Sequence, residues 1–359
     1  MSGPRVGVDG LALRTGGGVT WLVKLIPALA EVWPEASIEV LLRAEVSLPP
    51  GADARVTWTR RRVPSGIWRL PVERVIVRRW AKRQRLDVVL VGADAGPARL
   101  SCPFVQASLN AKPYSATGLR YRLLLAAARA TARGAHATVF LSESHRRLAE
   151  SRLAPRRAIA IPAGVEVPMA DGAPRPLPDP YVLVVATGYA HKDLGTALRA
   201  VLSLRARGDR HRLAWVGLAV DRQVVEELHR IAAGDPAALL EVGAVNQPTL
   251  DAWYRHADAV MLPSLEESGG LPVAEALARG VPVVASDIPA IAETVAGGAR
   301  LHPPHDAERA AALLADVFAS PALDAAAREA AGRTWAAPRS WAVAARRYRE
   351  VLEQALEGR

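Results

Sequence analysis

Short apolar runs alternate with helix-length amphipathic segments along almost the whole chain. Runs at 6–8, 38–42, 88–91, 104–106, 139–141 and 159–161 predict strands. Between them, apolar positions spaced three and four apart predict helices at 19–32, 66–84, 116–133 and 143–152. Pro27 is a kink point in the first of these helices. The pattern then breaks at 168–180, where Pro168, Pro174, Pro176, Pro178 and Pro180 with Gly172 read as a linker. It resumes with strands predicted at 181–185, 213–216, 240–242, 259–262 and 283–285, and a closing helix at 340–356. Near-continuous apolar strands with interleaved helices predict an α/β protein built on parallel sheets. At 359 residues the chain is long enough for two such domains. Boundaries are expected at 1–167, 168–180, 181–338 and 339–359.

Charge divides the chain unevenly. Residues 1–170 hold 26 Lys+Arg against 12 Asp+Glu, and the rest hold 20 against 24, within a net charge of +10. Between Arg55 and Arg85 there are eleven basic residues and one acid, Glu73, interleaved with Trp58, Trp68 and Trp80. Such a stretch suits an anionic membrane surface or an acidic acceptor; it equally suits the solvated face of an amphipathic helix. No helix-turn-helix, zinc or RNA-binding signature accompanies the charge, so no nucleic-acid partner is expected. The single Cys102 cannot pair internally, the N-terminus carries no signal-peptide core, and no apolar run approaches membrane-span length. A cytoplasmic protein with possible membrane association is expected, and its richness in Ala, Arg and Gly points to a GC-rich bacterial genome.

Candidate chemistry concentrates after the run at 259–262, in Pro263-Ser264-Leu265-Glu266-Glu267-Ser268-Gly269-Gly270-Leu271-Pro272-Val273-Ala274-Glu275. Gly269 and Gly270 let backbone approach a ligand without Cβ atoms in the way. Pro272 suits the first turn of a helix, whose unpaired N–H groups and dipole make a seat for a diphosphate. Glu275, expected within that first turn, offers two acceptors to a ribose diol, and Glu267 can reach sugar hydroxyls. The alternative for the two glutamates is a helix start decorated with favourable acids. Gly16-Gly17-Gly18 invites a dinucleotide reading, but the sixth position is Trp21 and the second strand ends in Arg43. The fingerprint fails at both points. His136, His145, His256 and His302 lack metal-ligand spacing, and no metal site is expected.

The 263–275 stretch, followed by Glu275-Ala276-Leu277-Ala278-Arg279-Gly280-Val281-Pro282-Val283-Val284-Ala285-Ser286, Glu293 and Pro303 to Asp306, closely resembles the donor-binding half of family-four retaining glycosyltransferases with the GT-B fold. Arg5-Val6-Gly7-Val8-Asp9-Gly10, Thr15-Gly16-Gly17-Gly18-Val19, Leu141-Ser142-Glu143-Ser144, Ile161-Pro162-Ala163-Gly164-Val165 and His191-Lys192-Asp193-Leu194 extend the likeness over most of the chain. The resemblance implies two Rossmann-like domains facing each other across a cleft, the last helix crossing back to the first. It implies transfer of a sugar from a nucleotide-diphosphate sugar, as co-substrate and without a cofactor or metal, to a glycan, lipid-linked or small-molecule acceptor. Glu267 and Lys192 are the catalytic candidates. Gly17, Gly18, Thr187, Gly188, His191, Lys192, Val245, Ser268, Gly269, Gly270, Leu271 and Glu275 are assigned to the donor, and Asn110 and Tyr114 to the acceptor side.

Three positions depart from the family pattern. Thr187 stands where many relatives carry arginine, with His191 a partial substitute; Leu109 stands where histidine is expected; and Gly269 replaces phenylalanine. These departures keep open the reading of a non-catalytic sugar-nucleotide-binding partner; an epimerase or phosphorylase-like enzyme, which would share the cleft but needs extra acids and histidines or a cofactor lysine, is the other alternative.

Overall fold

The computed structural model describes residues 3–358 except 15, 47–54, 65–68, 116–117, 167–173 and 321–324. Two compact units emerge, one of residues 1–164 with 339–359 and the other of residues 165–338.

The first unit is built on seven parallel strands: β1 (Arg5–Gly10), β2 (Ser37–Arg43), β3 (Val56–Arg61), β4 (Val88–Val91), β5 (Phe104–Ser108), β6 (Ala137–Phe140) and β7 (Ala158–Ala160). Their order is β3-β2-β1-β4-β5-β6-β7. The helices are α1 (Gly17–Val32), α2 (Arg69–Arg83), α3 (Lys112–Ser115), α4 (Leu119–Gly134) and α5 (Glu143–Leu153). Val6, Val8, Val88, Leu90, Val105 and Val139 face α1, and the alternate residues Val89, Val91 and Phe104 face α2. This two-sided burial explains why the central strands read as unbroken apolar runs. Pro27 sits inside α1 without ending it.

The second unit carries β8 (Tyr181–Val185), β9 (Arg212–Val216), β10 (Leu239–Gly243), β11 (Ala259–Leu262), β12 (Val283–Ser286) and β13 (Arg300–His302), ordered β10-β9-β8-β11-β12-β13. Its helices are α6 (Leu194–Arg205), α7 (Arg222–Ala232), α8 (Gln247–His256), α9 (Leu271–Ala278), α10 (Pro289–Val295), α11 (Ala307–Ala319) and α12 (Ala325–Ala336). The last helix, α13 (Trp341–Glu357), belongs to the first unit: its Tyr348 ring meets Trp21 edge-on, and Trp21 Nε1 donates to the Tyr348 hydroxyl at 3.2 Å.

Several expectations change. The strands β3 and β13 were not anticipated: β3 is an edge strand hidden in the basic stretch, and β13 has only three residues. The 55–85 stretch is therefore a strand and a helix, and its described tryptophans turn inward, Trp80 into the core and Trp58 against it. Trp68 lies outside the described residues. Of the expected linker 168–180, residues 168–173 also lie outside them, but the part after it is fastened to the second unit: Leu177 packs on its core and Arg175 pairs with Asp258 at 3.4 Å. Among the described residues no helix is long and apolar enough to cross a membrane.

Candidate functional site

In the second unit, strand order reverses direction between β8 and β11: β9 and β10 extend one way from β8, and β12 and β13 extend the other way from β11. Loops leaving the carboxyl ends of two such strands diverge and leave a crevice where ligands bind open parallel sheets. The loop after β8 carries Thr187, Gly188, His191 and Lys192; the loop after β11 carries Glu267, Ser268, Gly269 and Gly270. A backbone bond from Leu265 N–H to the His191 carbonyl, 2.8 Å, stitches the two together.

Lys192 and Glu267 meet across this switch point, with Nζ donating to Oε1 at 2.6 Å. Their side chains are 18% and 10% exposed, so the pair is largely withdrawn from water yet reachable. Gly188 is needed for contact: a Cβ there would lie 2.8 Å from the Trp215 ring, which the loop crosses closely. Thr187 contributes its carbonyl to the turn, accepting from Tyr189 N–H at 2.7 Å, and the Tyr189 and His191 rings stack at 5.7 Å.

Gly270 initiates α9 in the left-handed region, φ 56°, which glycine adopts without steric cost. No side chain caps this helix, whose first residues are Leu271 and Pro272. The Gly269 carbonyl is held by the Thr294 hydroxyl at 2.8 Å, which fixes the approach to the helix start. Glu275 is the fifth residue of α9, in the second turn and not the first as expected. Its Oε2 accepts from the Tyr254 hydroxyl at 2.8 Å. Tyr254 is fully buried, and burial beside Glu275 holds its phenol well above its ordinary pKa, so it remains a donor. Nothing in the sequence links Tyr254 to Glu275; the packing of α8 on α9 does. Val245 is half-buried after β10 and packs on the core.

The first unit has its own switch point, between β1 and β4. Gly17 and Gly18, expected in a loop, form the first turn of α1; a Cβ on Gly17 would meet nothing within 4 Å. Thr15 lies outside the described residues. Asp94, which the sequence reading passed over, accepts from the Ser108 hydroxyl at 2.6 Å and the Tyr114 hydroxyl at 2.9 Å. Its signal was an acid in the loop directly after a buried parallel strand. Burial lifts its carboxyl to about 6 against these two donors. Tyr114 corrects the acceptor-side expectation: it is completely buried with its hydroxyl committed to this network. It can position Asp94 but presents no surface to an acceptor. Asn110 is exposed and accepts from Lys112 N–H at 3.0 Å in a local turn. Leu109 packs partly against the core. Nearer the sheet, Asp9 is buried at the end of β1, and desolvation pushes its carboxyl up to about 7.

Among the described residues no group of three or more His, Cys, Asp or Glu side chains is arranged to hold a metal ion. The donors gathered in the second unit are one cation, two carboxylates and a helix start: a set suited to an anion with neighbouring hydroxyl groups.

Comparison with known proteins agrees with that chemistry. The model of the family "Glycosyl transferases group 1" matches residues 171–334. The D-inositol 3-phosphate glycosyltransferase of Thermobispora bispora is 31% identical over 211 residues, covering 57% of this chain and 47% of that protein. The chain thus spans about half the length of that relative. Among solved structures, sucrose-phosphate synthase from Thermosynechococcus elongatus superposes with a TM-score of 0.77 at 18% identity, covering 99% of this chain and 100% of the other. HepE from Anabaena, solved in complex with UDP-glucose, gives 0.76 at 16% identity over 98% and 100% of the two chains. Residues 171–334 are thus similar to the glycosyl transferases group 1 family, within a chain that has the GT-B fold.

Proposed function

We propose that this protein is a retaining glycosyltransferase that moves a sugar from a nucleotide-diphosphate sugar to an acceptor hydroxyl without a metal cofactor. The observation that carries the reading is the Lys192–Glu267 pair beside the uncapped start of α9, at the switch point of a domain similar to this family. In this reading the Lys192 ammonium and the Gly270 and Leu271 N–H groups hold the diphosphate. Glu275, steadied by Tyr254, accepts from the ribose diol, and Glu267 orients the sugar.

The bond from the anomeric carbon to the diphosphate oxygen breaks as the acceptor oxygen bonds to the same face. The acceptor proton passes to the departing phosphate, leaving a nucleoside diphosphate. The protein's contribution is positioning and stabilisation of charge on the leaving group. The relative acting on D-inositol 3-phosphate supports a hydroxyl-rich acceptor, and the HepE complex supports a nucleotide-sugar donor. Glycan, lipid-linked and small-molecule acceptors all fit this description.

The test is a donor panel in which nucleoside diphosphate release is followed with and without candidate acceptors, in the presence of EDTA. Acceptor-dependent release that persists in EDTA is expected, with the anomeric configuration of the product matching the donor. A strict divalent-metal requirement would overturn the phosphate-binding model. Donor binding without transfer would favour a non-catalytic binding protein.

A further inference from the structure

We infer that the outer face made by α2, the 96–99 loop and α4 in the first unit docks on an anionic lipid surface, with Leu119 and Leu123 entering the headgroup boundary. This is independent of the reaction assigned to the second unit.

α4 carries large apolar residues on two faces: Leu125 packs inward, whereas two further leucines face outward. Its small residues Ala128 and Ala132 pack inward against Phe140, Ala149 and Leu153. The outward leucines, Leu119 and Leu123, one turn apart, are 72% and 63% exposed. Ala126 and Ala130 continue the same exposed stripe at helical spacing. Water is a poor solvent for such a stripe, and nothing in the first unit's core requires it there.

Charge says what covers it. Arg120 and Arg122 are exposed beside the leucines, in a first turn that contains no acid and has no side-chain cap at Gly118. Cations at that end oppose the helix dipole, so helix stability does not account for them. From 95 to 142 the sequence holds six basic residues and no acid. The neighbouring α2 extends the positive field through exposed Arg78, Arg79, Lys82 and Arg83. A single carbonyl ties the helices together: Gly96 O accepts from Arg74 Nε and from the Thr131 hydroxyl, each at 2.9 Å.

A dissolved polyanion would use the arginines alone. A bilayer with anionic headgroups uses both the arginines and the leucines between them, which is the composition of interfacial helices. The described tryptophans of 55–85 are committed to the core, so the apolar contribution comes from α4 instead.

The experiment is co-sedimentation with vesicles of phosphatidylcholine alone and of phosphatidylcholine mixed with phosphatidylglycerol. Wild type is compared with the double variants Leu119→Gln/Leu123→Gln and Arg120→Gln/Arg122→Gln, each checked by circular dichroism. Wild type is expected to bind only the anionic vesicles and to lose binding as salt rises. The arginine variant should bind about fivefold more weakly per residue removed, and the leucine variant at least about tenfold more weakly. Salt-insensitive or absent wild-type binding overturns the inference without any variant. So does binding that survives the leucine change and vanishes with the arginine change, the signature of a polyanion site. A concentration-dependent dimer in solution that the leucine variant dissolves would make the face a contact between copies and also overturn it.

Discussion

The two units place their chemistry at the same topological position and treat charge in opposite ways. At the β8/β11 switch point Lys192 and Glu267 compensate each other at 2.6 Å near the surface. At the β1/β4 switch point Asp9 is buried with a backbone donor, Leu11 N–H at 3.1 Å, and Asp94 is held by two neutral hydroxyls. The physical result follows from desolvation: without an adjacent cation the buried carboxyls rise to about 7 and about 6. Glu73 rises to about 6 even with Arg69 and Arg43 nearby, because burial outweighs them. Parallel-sheet topology creates the crevice in both units, but the neighbouring side chains decide whether charge there is poised for an anion or suppressed.

The comparison can be broken most forcefully at the charged pair. Glu267→Ala and Lys192→Ala should each lower kcat by about 10²–10³, the range for removing one preorganised electrostatic contact to a transition state. Single-turnover measurements at saturating donor will show it; wild-type activity in both variants would remove them from the chemistry. Asp9→Asn probes the other side. Because burial raises the folded-state pKa of Asp9, the wild type is favoured while that carboxyl is protonated. It loses stability as pH rises from about 4 through about 7, by on the order of 2–4 kcal/mol. The asparagine variant lacks this loss, so the difference in Tm, variant minus wild type, should grow from pH 4 to pH 8. A difference that does not change with pH would show Asp9 ionising freely. The smallest effect is expected for Tyr254→Phe, which removes one hydrogen bond to Glu275. Nucleotide affinity should fall by about 0.5–1.5 kcal/mol in a titration, less than for Glu275→Ala, where about 1.5–3 kcal/mol is expected.

Much of the architecture was legible because buried parallel strands are short, apolar and bracketed by helices of opposite periodicity. What escaped were elements whose stability is not written locally. β3 is held by its pairing with β2, and its Thr-Arg-rich outer face reads as part of a charged run. The Gly269-Gly270-Leu271-Pro272 signature located a helix start, yet the helix begins at Leu271, which moved Glu275 to the second turn. Tyr114 sat in a suggestive motif, but burial by α4 and α5 is a tertiary fact that no spacing conveys. The partnership of Lys192 and Glu267 spans 75 residues and depends on strand order, so it became visible only with the sheet assembled.

The most direct test of the central claim, that the second unit's switch point holds a nucleotide diphosphate, is isothermal titration of the full chain with UDP, GDP and ADP, repeated on Lys192→Gln. The account predicts saturable binding of at least one of them and a loss of at least about tenfold in the variant, since a charged hydrogen bond to phosphate is worth about 1.5–3 kcal/mol. No binding of any nucleoside diphosphate, or an affinity untouched by Lys192→Gln, would contradict it.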